Sequence, residues 1–114
     1  MKRQKIYLEH ANITVVDLHK SIRFFQTAFP HFEIRGGGKS PREWVHIGDD
    51  TTYLAINQVE IIQKPREKDY RKLGVNHIGF VVEDLSSISK SLKSAGFKRS
   101  YPKQIEKFRI RDYF

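Results

Sequence analysis

The amino-acid sequence predicts an α+β fold built from two related modules in tandem, each opening on a strand that passes straight into a helix. Three observations predict it. The stretch Leu8 to Leu18 returns as Val75 to Leu85, pairing His10 with His77, Asp17 with Asp84 and Leu18 with Leu85 at one constant offset of 67 residues. A single offset without a gap is the mark of an internal repeat. The helical stretches that follow also align, Phe25 with Leu92 and Ala28 with Ala95. Finally, the apolar period changes from alternation to helical spacing just after each aspartate, so each module goes from strand to helix at that point.

Ile6 to Val16 alternates, with Leu8, His10, Asn12 and Thr14 on one face and Ala11, Ile13 and Val15 on the other. It reads as a strand with both faces partly covered, His10 pointing away from the aliphatic set. Asp17 can cap the next helix, because its carboxylate accepts the free N–H groups of the first turn. Leu18, Ile22, Phe25 and Phe29 then fall on one helical face, and Pro30 ends it. His31 to Arg35 reads as a short strand closed by Gly36, Gly37 and Gly38. A phosphate-cradling loop would need a helix next; Lys39-Ser40-Pro41 and another strand follow instead, so the glycines read as a hairpin loop. Arg42 to Ile47 is a strand carrying the only tryptophan, Trp44, and Gly48-Asp49-Asp50 is a turn. Thr51 to Val59 is the fourth strand, with Tyr53, Ala55 and Asn57 on one face and Leu54 and Ile56 on the other.

Glu60 to Gly74 is polar, basic and proline-containing, and reads as the connection between modules. Val75 to Val82 restarts the pattern as a strand, and Asp84 caps a helix over about 85–94 that turns Leu85, Ile88 and Leu92 inward. Ala95-Gly96-Phe97 ends it as a glycine C-cap does. Lys98 to Tyr101 is a short strand, Pro102 to Glu106 a loop, and Lys107 to Phe114 a sharply alternating strand. Module one therefore reads βαβββ over about 5–62, the connection takes about 60–74, and module two reads βαββ over about 75–114, one strand short. The 114 residues are expected to form one domain.

No apolar run is long enough to span a membrane and no signal segment follows the charged start, so a soluble, cytoplasmic protein is expected. The absence of cysteine excludes disulfides, thiolate metal sites and thiol nucleophiles. Lys and Arg number 21 against 13 Asp and Glu, a formal charge of +8. That balance favours an anionic partner, with solubility as the plainer reading. The dense clusters are Lys2-Arg3-Lys5 and Arg66 to Lys72, at the terminus and in the connection.

Two histidine-bearing first strands, each leading through Val-x-Asp-Leu into a helix, resemble the vicinal oxygen chelate superfamily. That superfamily includes glyoxalase I, extradiol dioxygenases, fosfomycin-resistance transferases and bleomycin-binding proteins. The matching pieces are Leu8 to Leu18 with Ser21 to Phe25, and Asn76 to Leu85 with Leu92 to Phe97. The resemblance covers nearly the whole chain. It implies a half-open, mostly antiparallel barrel, the second module truncated. In metal-using members the first strand of each module supplies a histidine and the fourth a glutamate or equivalent to one divalent ion. That ion holds two neighbouring substrate oxygens and stabilises an oxyanion as a Lewis acid.

Carried over, the resemblance implies His10 and His77 as metal ligands, for Zn, Ni, Fe(II) or Mn. The plain alternative for any one of them is a hydrogen-bonded structural histidine. The fourth-strand ligand position falls on Leu54, and Thr51 to Gln58 holds no acidic residue or histidine. The second module's fourth strand would follow Phe114. Glu9 and Glu106 are conceivable bases without a match, and His19, His31 and His46 read as surface or structural.

Two functions follow. One is a metal-dependent enzyme, lactoylglutathione lyase-like or extradiol dioxygenase-like, acting on a small substrate with vicinal oxygens. The other is a metal-free small-molecule binding or drug-sequestering protein, with Trp44, Tyr53, Phe80 and Phe108 lining the cavity and an anionic ligand favoured by the charge. Nucleic-acid binding through Lys107 to Arg111 is not expected, since alternating basic and aromatic residues are what an amphipathic strand shows anyway. The unpaired edge left by the absent strand points to a homodimer.

Overall fold

The computed structural model describes residues 6–60, 71 and 73–114. Its first half is β1 (His10–Val15), α1 (Leu18–Ala28), β2 (Glu33–Gly38), β3 (Trp44–Gly48) and β4 (Tyr53–Gln58). The four strands form one sheet in the order β1-β4-β3-β2. β1 runs parallel to β4, with His10 opposite Tyr53, while the β2–β3 and β3–β4 pairs are antiparallel.

Alternation decides which side of this sheet is covered. Ala11, Ile13 and Val15 of β1 pack against a core of Leu18, Phe32, Val45, Ile47, Leu54 and Ile56, joined by Ile22, Phe25 and Phe29. α1 starts where expected: the Asp17 carboxylate accepts from the Lys20 N–H at 3.0 Å. The Leu18 N–H is taken by Gln58 Oε1 at 2.8 Å, which fastens the helix start to the end of β4. Leu18, Ile47 and Ile56 are fully buried, each worth about 1.5–3 kcal/mol in apolar transfer.

The second half holds α2 (Leu85–Ser94), β5 (Tyr101–Ile105) and β6 (Ile110–Tyr113). Asp84 caps α2 by accepting from the Ser87 N–H at 3.0 Å. Gly96, at φ +92°, lets the Phe97 N–H return to the Leu92 carbonyl at 3.0 Å. β5 and β6 pair antiparallel as a two-stranded sheet. They stand about 67 residues after β2 and β3, so the repeat seen at the helices continues through the hairpin. Arg23 fastens the two halves, donating to the Ala95 carbonyl at 2.9 Å with its guanidinium 4.5 Å from the Phe97 ring centre.

The chain is thus α+β, two helices and six strands in two sheets among the described residues, and no closed barrel. Three elements differ from expectation. Gly36, Gly37 and Gly38 belong to β2 rather than to a loop, facing His46, Val45 and Trp44 across the ladder. A Cβ on Gly38 would sit 2.9 Å from the Trp44 indole nitrogen, so glycine there makes room for the ring. Pro102 to Ile105 is strand rather than loop. A proline without an N–H fits an edge strand, and the register shift between Tyr101 and Gln104 absorbs it.

The third difference is Val75 to Val82, expected as a strand, which carries no ladder. In module one the equivalent stretch, β1, takes its ladder from β4, and among the described residues 75–82 has no such partner strand. Residues 61–70 and 72, including most of the expected connection and all of its basic cluster but Arg71, lie outside the described residues, as does the cluster at 2–5. No helix among the described residues is long and apolar enough to cross a membrane.

Candidate ligand-binding face

The face of the four-stranded sheet turned away from the core gathers aromatic and polar side chains. The ladder places His10, Tyr53 and Gly48 in one row, Asn12, Ala55 and His46 in the next, and Thr14, Asn57 and Trp44 in the third. The rings are continuous across the strands. His10 stacks on Tyr53 with centroids 4.8 Å apart and planes 8° from parallel. His46 lies against the same phenol at 4.7 Å and 28°, and Trp44 follows at 5.1 Å from His46. The Arg35 guanidinium carbon is 4.5 Å from the centre of the Tyr53 ring. Beside the rings, Asn57 Nδ2 donates to Asn12 Oδ1 at 2.9 Å and to the Ile13 carbonyl at 3.1 Å.

His10 is oriented by its neighbour in sequence. Its Nδ1 lies 2.9 Å from Glu9 Oε1. A carboxylate oxygen only accepts, so Nδ1 carries the hydrogen and Nε2 of the neutral ring keeps its lone pair. The Glu9 backbone is fixed in turn, its carbonyl accepting from the Tyr53 N–H at 2.9 Å and from Thr52 Oγ1 at 2.9 Å. The same device recurs one repeat later. His77 Nδ1 meets Asn76 Oδ1 at 2.7 Å, and Glu9 and Asn76 are equivalent positions.

The expected site residues distribute unevenly. His10, Trp44 and Tyr53 share this face, His10 with side-chain exposure of 45%. His77 sits on 75–82, outside the ladder. Phe80 packs on the helix side, 4.8 Å from the Phe29 ring and 6.3 Å from Phe25. Phe108, in the β5–β6 turn, is 89% exposed with the Lys107 ammonium 5.2 Å from its ring centre. His46 and Arg35 join the face although neither was singled out. The signal for His46 was its parity with Trp44 in one strand. Arg35 had none, since the register shift between Ile34 and Gly36 places it. His19 and His31 are exposed, 3.6 Å from Glu43 and 3.8 Å from Asp49 respectively.

The fourth-strand ligand position is corrected from Leu54 to Tyr53. Leu54 is buried in the core, and Tyr53 is the residue opposite His10. A phenol ring therefore stands where a carboxylate would be needed. Among the described residues no three His, Asp or Glu side chains gather to hold a metal ion. Glu9 is already committed to His10 Nδ1, so these residues alone do not make a complete divalent-cation site.

No protein-family model matches the sequence, and no curated protein matches it. Solved structures do. The fosfomycin resistance protein FosX from Listeria monocytogenes, in a crystal structure complexed with Mn(II) and 1S,2S-dihydroxypropylphosphonic acid, superposes with a TM-score of 0.70 at 20% identity, over 96% of this chain and 85% of that one. SMU.1112c gives 0.65 at 16% over 92% and 85%. The integron cassette protein VCH_CASS1 of V. cholerae gives 0.58 at 14% over 98% and 86%. The class is an α+β protein in which a βαβββ unit is followed by a helix and a two-stranded sheet. At 14–20% identity the likeness to these structures is one of fold.

Proposed function

We propose that this protein binds a small molecule bearing a phosphonate or carboxylate on the ring-lined face of the sheet, and acts on it as a glyoxalase-like enzyme of the lyase or isomerase type. The observation that carries it is the row His10–Tyr53 with Arg35 beside the same ring. Arg35 offers a planar cation to the oxyanion. Tyr53 and Trp44 supply flat apolar area, and Asn12 and Asn57 a polar rim. His10, its Nδ1–H held by Glu9, presents Nε2 as a general base for a proton next to the anionic group. The net charge of +8 draws such a ligand in, and the fosfomycin-resistance neighbour holds a phosphonate.

The metal-dependent form of this reading needs a divalent ion (Zn, Ni, Fe(II) or Mn) on His10 and His77 together with donors beyond the described residues; the base chemistry of His10 does not. A metal-free binding protein is the second reading, favoured by Tyr53 standing opposite His10.

Trp44 is the only tryptophan and lies on this face, so its fluorescence reports occupancy. Titration of metal-stripped protein with dihydroxypropylphosphonate is expected to change that emission, with affinity weakened at least about tenfold in Arg35→Ala. His10→Ala is expected to bind and to lose turnover. Saturation without turnover at any metal supplement leaves the sequestering reading. No response up to about 10 mM ligand, with or without Mn(II), would sink the proposal.

A further inference from the structure

A cavity of about 360 Å³ opens between α1 and the stretch that follows α2, with Ile13 of β1 in its wall. Ile13 belongs to the core-facing set of β1, so this cavity lies on the opposite side of the four-stranded sheet from the ring-lined face. Its volume falls within the ~300–1,000 Å³ of small-molecule sites. Phe24, Phe25 and Phe97 line it. Phe24 stands edge-on to the other two, with centroids 5.2 and 5.0 Å away and planes 88° and 89° apart. Rings set at right angles make an open corner rather than a closed stack. Lys20 and Lys98 border the same cavity, and both are exposed.

We infer that this cavity is a second ligand site, taking a monoanion with an aromatic body and one carboxylate. The body packs into the corner of rings by edge and face contacts. A carboxylate only accepts hydrogen bonds, so the site must supply donors. Ser21, also at the cavity, supplies none, because its Oγ already donates to the Asp17 carbonyl at 3.2 Å. The donors are the ammonium groups of Lys20 and Lys98. Neither is spent elsewhere, since the ion pairs among the described residues are made by other side chains. The surroundings carry the matching sign. Neither α1 nor α2 contains an acidic residue, while together they carry Lys20, Arg23, Lys90 and Lys93. The Asp17 carboxylate ahead of α1 is engaged in its cap. A neutral apolar ligand would use the rings alone; an anion uses the rings and both cations. The Phe97 wall is held in place by the Arg23 guanidinium, 4.5 Å from its centre.

Titration with cinnamate, followed by backbone amide NMR shifts, tests this. The expected result is saturable shifts at residues 20–25 and 97–98, with a dissociation constant raised at least about fivefold when Lys20→Gln and Lys98→Gln are combined. Both lysines are exposed, so the double variant is expected to keep the fold, read from its unshifted β3–β4 amides. Cinnamyl alcohol, the same body without the charge, should bind the original chain and the double variant alike. No saturable shift at 20–25 and 97–98 up to about 10 mM cinnamate overturns the inference, as does a dissociation constant that the double variant leaves unchanged. Equal losses for cinnamate and its alcohol overturn it too, because the lysines would then shape the cavity rather than recognise charge. Shifts gathered instead on residues 44–58 would place the probe on the ring-lined face and leave this cavity without a ligand.

Discussion

Asp112 is the most strongly held charge among the described residues. Its side chain is 1% exposed and takes a two-point contact from Arg99, Nε at 2.5 Å and Nη2 at 2.9 Å. Ser89 Oγ donates to it at 2.7 Å, tying α2 to β6. The Arg99 guanidinium, helped by Ser89 and the Tyr113 N–H, holds the carboxyl down at about 2 against an ordinary 3.8. A carboxylate depressed in the folded state stabilises the fold fully above its ordinary value, and loses that contribution as pH falls through the depressed one. The window is therefore about pH 4 down to 2, and the contribution above it is ~2 kcal/mol. Asp112→Asn is expected to lower the thermal midpoint at pH 7 and to flatten its fall below pH 4, read by circular dichroism melts across pH 2–7. An unchanged acid limb in the variant would assign that limb to other carboxylates, Glu106 and Asp49 being also held down, by the Arg109 guanidinium and by the Thr52 and Thr51 N–H groups respectively.

Helix starts show what local chemistry contributes at the scale of an element. Asp17 and Asp84 occupy equivalent positions and cap in the same way, each accepting from the N–H three residues on at 3.0 Å. Replacing an aspartate cap by alanine costs about 1 kcal/mol, and Asp17→Ala is expected to do so in urea melts, with Asp17→Asn recovering most of the loss. Equal losses in both variants would mean that the charge acts elsewhere than at the cap. Such features were legible in the sequence because cap, apolar spacing and C-terminal glycine lie within a dozen residues of one another. Both helices, β1, β3, β4 and the face parity of His10, Tyr53 and Leu54 follow from that local pattern. The three misread segments depend on distant partners. Gly36 to Gly38 is strand because Trp44 needs the room; Pro102 is tolerated because β5 has an open edge. Val75 to Val82 alternates as a strand should, but a strand is a pairing and its pattern names no partner. The site was half legible for the same reason. His10, Trp44 and Tyr53 were found from parity, whereas Glu9 as the group that orients His10, and Arg35 beside Tyr53, exist only once β1, β4 and the β2 bulge are placed side by side.

Stability across the whole molecule is unevenly shared between the modules. The buried cluster of Leu18, Phe32, Val45, Ile47, Leu54 and Ile56 lies entirely in module one, whose sheet has four strands with each neighbour paired. Module two buries Leu92 and Ser89 and rests on a two-stranded sheet, an element marginal by itself in water. Its β5 is exposed at every residue, and Ile105 and Ile110 remain 78% and 53% exposed. Two levels of opening follow, since regions with few buried apolar contacts open at lower free energy than the core. Native-state hydrogen exchange in low urea is expected to show β5–β6 amides exchanging by local opening, and β3–β4 amides only with global unfolding. Ile47→Ala, which empties a fully buried position, should cost about 2–5 kcal/mol, lowering β3–β4 protection by that amount and leaving β5–β6 protection nearly unchanged. If both sheets lost protection equally, the Arg23 contacts to Ala95 and Phe97 and the packing of Phe80 on Phe29 would have to couple the modules into one cooperative unit, and a ligand on the module-one face would then stiffen the hairpin as well.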